Sequence, residues 1–228
     1  MEINRESLIS VLSALNENGV LPYVILVGSW AEFLYGETAL LEGFSSYGKT
    51  TDMDFLVRNL RKPPQKVSIM DSMERAGFLY EEDYITGNSK FVNEELEIEF
   101  LICQMGDGTK ELPATNIGVK AQQITHMDVA NRFFTTVEYE GFKINIPIPE
   151  CYVIQKMIIN HKRGYKQIPD QEKVASLIPF IDIDMLNTVF RSLSRKEKQR
   201  VEEYIRNNSP ELRIESGKKV CLVIKKNS

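Results

Sequence analysis

Five apolar residues, Tyr23 to Val27, stand in an unbroken row that stops at Gly28-Ser29. A run rich in Val, Ile and Leu that ends at a glycine predicts a buried strand. Met53 to Val57 predicts a second strand, with Asp52 just before it and Asp54 inside it. Between Glu95 and Cys103 the rhythm changes: Leu96, Ile98 and Phe100 alternate with Glu95, Glu97 and Glu99 before Leu101-Ile102. Clean alternation predicts a half-buried strand with its acids on one face. Phe133–Tyr139 and Phe142–Pro147, joined at Glu140-Gly141, read as a hairpin. Shorter strand candidates lie at Phe78–Tyr80, Lys90–Val92 and Val220–Ile224.

Helical spacing gives the other elements. Leu8, Ile9, Leu12 and Leu15 share one side of a helix from Glu6 to Asn18, ended by Asn18-Gly19. A helix from about Trp30 to Tyr35 follows Gly28-Ser29. Another is expected over Val67–Ala76, with Val67, Met70 and Met73 inward and Gly77 as its C-cap. Gly36–Lys49 reads as a loop, and Gly106–Ala130 has no clear period. After Pro147 the pattern becomes mostly helical. Pro149-Glu150 suits a helix start and leads into Cys151–His161. Asp170–Leu177, Asp182–Leu193 and Lys196–Ile205 follow, the last opened by a Ser194/Glu197 capping box. The organisation expected is an α/β (α+β) core over residues 1–147, then a helical region over 148–228.

Composition narrows the classes. An apolar fraction of 43% and a charged fraction of 26% are those of an ordinary globular protein. No run is long enough for a membrane helix, and MEINRESLIS lacks the basic and apolar segments of a signal peptide. A cytoplasmic protein without a membrane partner is therefore expected. The net charge of -4 makes extended duplex DNA the least attractive partner, although charges are spread unevenly and a local basic patch fits the chain. Cys103, Cys151 and Cys221 argue against a disulfide framework. With His126 and His161 as the two histidines, neither a zinc site nor a hydrolase triad is indicated.

The chemistry that remains is that of carboxylates and phosphate. Side chains two apart on a strand point the same way, so Asp52 and Asp54 would face one edge of a site. Oxygen ligands so placed suit a hard divalent cation such as Mg²⁺, which usually arrives with a triphosphate. Glu97 and Glu99 would supply the third carboxylate of a two-metal arrangement; acids on the solvent face of a strand have the same spelling. Gly28 at a strand-to-helix junction lets a phosphate approach the backbone, and Ser29 adds a hydroxyl at the helix N-terminus. Many strand–helix junctions carry such a glycine. Thr50 and Thr51 either bond a phosphate or shape the turn before Asp52. Trp30 fits the core better than a stacking role. Asp182 and Asp184 repeat the D-x-D spelling ahead of a helix, where Asp182 reads as an N-cap.

Val27-Gly28-Ser29, then Thr51-Asp52-Met53-Asp54-Phe55-Leu56-Val57, then Glu97-Ile98-Glu99-Phe100-Leu101 together resemble the nucleotidyltransferase superfamily with a DNA polymerase β-type core. The chain looks most like bacterial stand-alone members, some of them in toxin–antitoxin systems. The resemblance spans about residues 20–175. It implies a mixed sheet with flanking helices, with Asp52, Asp54 and Glu99 as catalytic and metal-binding acids and Glu97 as runner-up to Glu99. It also implies Gly28, Ser29, Thr51, Lys156 and Arg163 around the nucleotide, because such proteins carry cations on a helix after the core. The implied cofactors are one or two Mg²⁺ ions. The implied substrates are a nucleoside triphosphate, such as ATP, and a hydroxyl acceptor: a small molecule, a tRNA end or a protein side chain. The chain departs from the pattern in two places: a longer segment, Thr38–Thr50, before Asp52, and glutamate where the third acid is usually aspartate. Two other readings are a fold that has lost catalysis and serves as a binding module, and a metal-dependent phosphohydrolase.

Overall fold

The computed structural model describes residues 5–46, 50–82, 87–104, 114–209, 212–216 and 220–224. The chain divides into two compact units, Met1–Pro147 and Ile148–Ser228.

In the first unit, helix α1 (Arg5–Glu17) buries Leu8, Val11, Leu12 and Leu15. Strand β1 (Val24–Val27) is buried throughout and leads through Gly28 into α2 (Ser29–Glu37). Then come β2 (Asp52–Val57), α3 (Met70–Arg75), β3 (Leu79–Glu82), β4 (Ser89–Val92) and β5 (Glu97–Cys103). The unit continues with β6 (Gln122–Ile124), α4 (Asp128–Arg132), β7 (Phe134–Tyr139) and β8 (Phe142–Pro147). The main sheet runs in the order β1-β2-β5-β4-β3, with β6 also paired to β5. β2 and β5 are parallel, whereas β1 and β4 run antiparallel to their neighbours, so the sheet is mixed.

One sheet face is apolar. Met53, Phe55, Phe91, Ile98 and Phe100 are buried there, with the Phe55 and Phe100 rings stacked at 5.7 Å. β7 and β8 form a separate hairpin. Its turn residues Glu140 and Gly141 both have positive φ, 49° and 80°, the turn that matches strand twist. Asn145 on β8 donates to the carbonyls of Leu21 and Val24, joining the hairpin to the start of β1.

Two sequence expectations shift, and that for Trp30 holds. The half-buried strand begins at Glu97, because the Asn93 side chain accepts from the Glu95 and Leu96 N–H groups and turns the chain. The third helix begins at Met70 instead of Val67, because the Val67 and Ile69 N–H groups donate to the carbonyls of Asn116 and Ile117. Ile69 and Met73 are therefore the buried side chains of that region. Trp30 is fully buried and meets Phe33 edge-on at 6.0 Å, a core position.

The second unit contains α5 (Pro149–Ile159), α6 (Gln167–Leu177), α7 (Ile183–Ser192) and α8 (Arg195–Asn208). The Asp182 side chain caps α7, and Ser194 with Glu197 forms the capping box of α8. The strand at the chain's end, β10 (Val220–Ile224), pairs with β9 (Leu212–Ser216) in a two-stranded sheet of their own.

Candidate active site

Register, more than any single residue, builds the acidic face. β2 lies parallel to β5 with Asp52 opposite Glu97 and Asp54 opposite Glu99. Residues opposite one another in a ladder share a face, and neighbouring strands are about 4.8 Å apart. The four carboxyl groups thus stand on one side of the sheet, the apolar core on the other. Asp52 is exposed; Asp54, Glu97 and Glu99 are half-buried.

Across the next strand, Lys90 on β4 is opposite Glu99. Its ammonium donates to Glu97 at 2.8 Å and lies 4.0 Å from Glu81. Hydrogen bonding to Glu97 is the main reason its pKa is raised. Sequence reasoning missed Lys90; its signal was a cation at the start of the short strand candidate Lys90–Val92, meaningless until the register is known. The contact separates the two glutamates: Glu97 has a cation, while Glu99 does not share that bond. Burial, then the charge of Glu97, raises the Glu99 pKa; Lys90 opposes this and Asp52 adds to it. Glu95, the third acid of the alternation, accepts instead from Ser7 on α1.

Gly28 adjoins these acids. Its backbone, φ 70° and ψ −150°, lies where essentially only glycine is found. A β-carbon there would be 3.3 Å from Asp54 Oδ2. The N-terminus of α2, beginning at Ser29, is therefore set beside a carboxylate of the cluster with no side chain between. Gly28→Ala is expected to cost about 1–3 kcal/mol, lowering the melting temperature by about 3–9 °C; differential scanning calorimetry would measure it.

The turn before β2 holds itself together. The Thr50 hydroxyl accepts from the Asp52 N–H at 3.2 Å, and the Thr51 hydroxyl donates to Asp52 Oδ1 at 3.2 Å. Thr51 thus orients a carboxylate of the cluster. Of the Thr38–Thr50 segment, residues 47–49 lie outside the described residues. Its Ser46 donates to the buried Glu32 of α2 at 3.1 Å.

Lys156 and Arg163 are brought together within the second unit. Lys156 Nζ donates to Asp170 Oδ1 at 2.7 Å and Arg163 Nε to Asp170 Oδ2 at 2.9 Å. Asp170 is 4% exposed at its side chain and Lys156 10%. Burial pushes the Lys156 pKa down, against the pull of Asp170. In this conformation both cations bind a carboxylate, and the Lys156 ammonium also lies 5.4 Å from the Tyr152 ring centre.

Among the described residues, no three carboxyl, thiol or imidazole groups form a ready-made metal centre. The donor set still suits Mg²⁺, which takes one or two carboxylates together with water and substrate phosphates in preference to an all-protein cage.

A crystal structure of an antigenic nucleotidyltransferase-like protein from Paracoccidioides brasiliensis has the same fold, with a TM-score of 0.50 and 16% identity over 88% of this chain and 87% of that one. ANT(2")-Ia in complex with adenylyl-2"-tobramycin aligns over 88% of this chain and 98% of that one, at 12% identity and a TM-score of 0.48. Curated protein sequences give no significant match. A family model described as nucleotidyltransferase matches residues 6–205. That match covers most of the chain, and the chain belongs to the nucleotidyltransferase family.

Proposed function

We propose that this nucleotidyltransferase transfers a nucleoside monophosphate from a triphosphate to a hydroxyl acceptor, with Asp52, Asp54 and Glu99 as the acids for one or two Mg²⁺ ions. The observation that carries this reading is the parallel register placing Asp54 beside Glu99, with Gly28 against Asp54. Bound there, Mg²⁺ would supply positive charge for the triphosphate and the developing pyrophosphate. Gly28 leaves a phosphate oxygen room to approach the backbone, and the first N–H groups of α2 with the Ser29 hydroxyl would hold it. The acceptor oxygen forms its bond to the α-phosphorus as the bond to the pyrophosphate oxygen breaks. A carboxylate of the cluster takes the acceptor's proton. Because Lys90 occupies Glu97, Glu99 is the third ligand we favour.

The direct test mixes the purified protein with Mg²⁺, α-labelled triphosphate and cell extract. Label appearing on an acceptor, with pyrophosphate released, is the expected result. Release of inorganic phosphate would instead identify a phosphohydrolase. Absence of Mg²⁺-dependent triphosphate binding by calorimetry would identify a binding module.

Glu99 also sets a pH dependence. Its pKa is raised above the ordinary value of about 4.3, so metal affinity falls as pH drops through that raised value. Glu99→Gln is expected to remove this limb from a Mn²⁺ titration followed between pH 7 and 4. For stability the sign is opposite: a raised acid pKa contributes stability that is present below the unfolded value and lost as pH rises through the folded one. At pH 7 the metal-free Glu99→Gln protein should therefore melt higher than wild type, by about 1–2 °C given partial solvent screening.

A further inference from the structure

The two units have opposite charge. Residues 1–147 contain 12 Lys and Arg against 22 Asp and Glu, and residues 148–228 contain 16 against 10. The formal balance is −10 in the first unit and +6 in the second. The acids of the first unit include the cluster already described. The transfer step proposed above makes no use of the cationic surplus of the second.

Within the second unit there is a groove of about 700 Å³ lined by Gln171 of α6, the end of α8 and the start of β9. Among the described residues its polar lining is Gln171, Arg206, Asn207, Asn208, Ser209 and Arg213. Arg206 and Arg213 pair at the rim with Glu202 at 3.2 Å and Glu215 at 2.7 Å. Their side chains are 66% and 58% exposed, where such pairs are weak and a phosphate can take over the guanidinium. Gln171 Nε2 lies within 3.4 Å of Asn160 Oδ1 and 3.2 Å of Asn208 Oδ1, linking the groove to the turn that follows Asn160.

That turn reads His161-Lys162-Arg163-Gly164-Tyr165-Lys166. Tyr165 is 88% exposed and Ile168, just beyond, 66%. Arg200 of α8 also faces His161: after burial, its charge is the largest influence holding the His161 pKa down. An aromatic ring left in water in a cation-rich turn, which joins through Asn160 and Gln171 to a groove lined by guanidinium and amide groups, matches one ligand chemistry. Guanidinium groups take phosphates, amides read base edges, and the ring stacks on a base. Duplexes hide their base faces, so the ligand is single-stranded.

We infer that the C-terminal unit binds single-stranded RNA, and that this RNA is the acceptor class for the proposed transfer. The second clause rests on the reading given under Proposed function. RNA fits because it presents hydroxyls both at its 3′ end and along the chain. One of these would form the bond to the α-phosphorus as pyrophosphate leaves and the proton passes to a cluster carboxylate.

The test starts with fluorescence anisotropy of the full chain on a labelled 12-nucleotide oligoribonucleotide, without Mg²⁺ or triphosphate. Binding is expected, with Tyr165→Ala weakening it about tenfold and Tyr165→Phe close to wild type. Arg206→Ala with Arg213→Ala should weaken it about tenfold and reduce the slope of log K against log salt by about 1.4. Failure to bind, preference for duplex RNA or for phosphatidylserine vesicles, or indifference to both sets of variants overturns the inference. The second arm adds Mg²⁺ and α-labelled triphosphate: label on the bound oligonucleotide supports the acceptor assignment. Label passing from extract reactions only to protein or small molecules overturns it. If no label moves anywhere while RNA still binds, the transfer reading has failed and the binding surface stands.

Discussion

Asp54→Asn is expected to lower nucleotidyl transfer by at least about 10³-fold, roughly 4 kcal/mol of transition-state stabilisation, with the protein still folded. The size follows from what the residue is asked to do. Asp54 is the carboxylate that meets both halves of the proposed site: it lies opposite Glu99 in the ladder, and Gly28 at the head of α2 is set against its Oδ2. Asparagine keeps the shape and loses the charge, so the metal side weakens while the packing does not. With like charges opposite one another in the parallel pair, neutralising one relieves repulsion, and the metal-free variant should melt no lower than wild type. The internal control is the other D-x-D. Asp182 accepts from the Asp184 and Met185 N–H groups at 2.8 and 3.1 Å, so it caps a helix. Asp184→Asn should leave transfer within about twofold of wild type. Transfer of α-label, followed with and without Mg²⁺, measures both variants. Equal loss in the two would show that the spelling D-x-D carries no positional meaning here.

The parts of this site that were legible in the sequence are those written in local rhythm. Asp52 and Asp54 could be placed on one strand face, and Glu97 and Glu99 on another, because alternation has a period of two and needs no partner to be read. The strand–glycine–helix junction at Gly28 was legible for the same reason. Lys90 was not: its meaning depends on the β4–β5 register, and register is a property of two strands. β6 and β9 were missed because both are short: Gln122–Ile124 has one apolar residue, and the alternation in Leu212–Ser216 covers only Leu212 and Ile214; their pairing decides their form. The irregular backbone of Val67–Ile69 was hidden behind a helical pattern because the partner segment, Asn116-Ile117, is far along the chain.

Lys156 shows the same limit on a helix. Its sequence position, a cation in the mostly apolar stretch Cys151–Ile159, is compatible with a phosphate contact, and nothing local shows that Asp170 will meet it.

That meeting gives the largest expected effect on stability. Asp170→Ala should cost about 3–5 kcal/mol. The Asp170 side chain is 4% exposed and accepts from two cations, and its loss leaves the Lys156 ammonium, 10% exposed, without its carboxylate. Arg163, 33% exposed, can turn toward water; Lys156 cannot do so cheaply, and burial already pushes its pKa down. Removing both members of the buried pair tests the cause. In Lys156→Met with Asp170→Leu, no buried charge is left unpaired, and replacing a buried ion pair by apolar groups of similar volume is often neutral or stabilising. The double variant should therefore regain most of the loss. Urea denaturation of wild type, Lys156→Met, Asp170→Leu and the double variant gives the coupling directly. Should the double variant be as unstable as Asp170→Ala alone, the cost would arise from packing around α6 and the unpaired ammonium would not be its source.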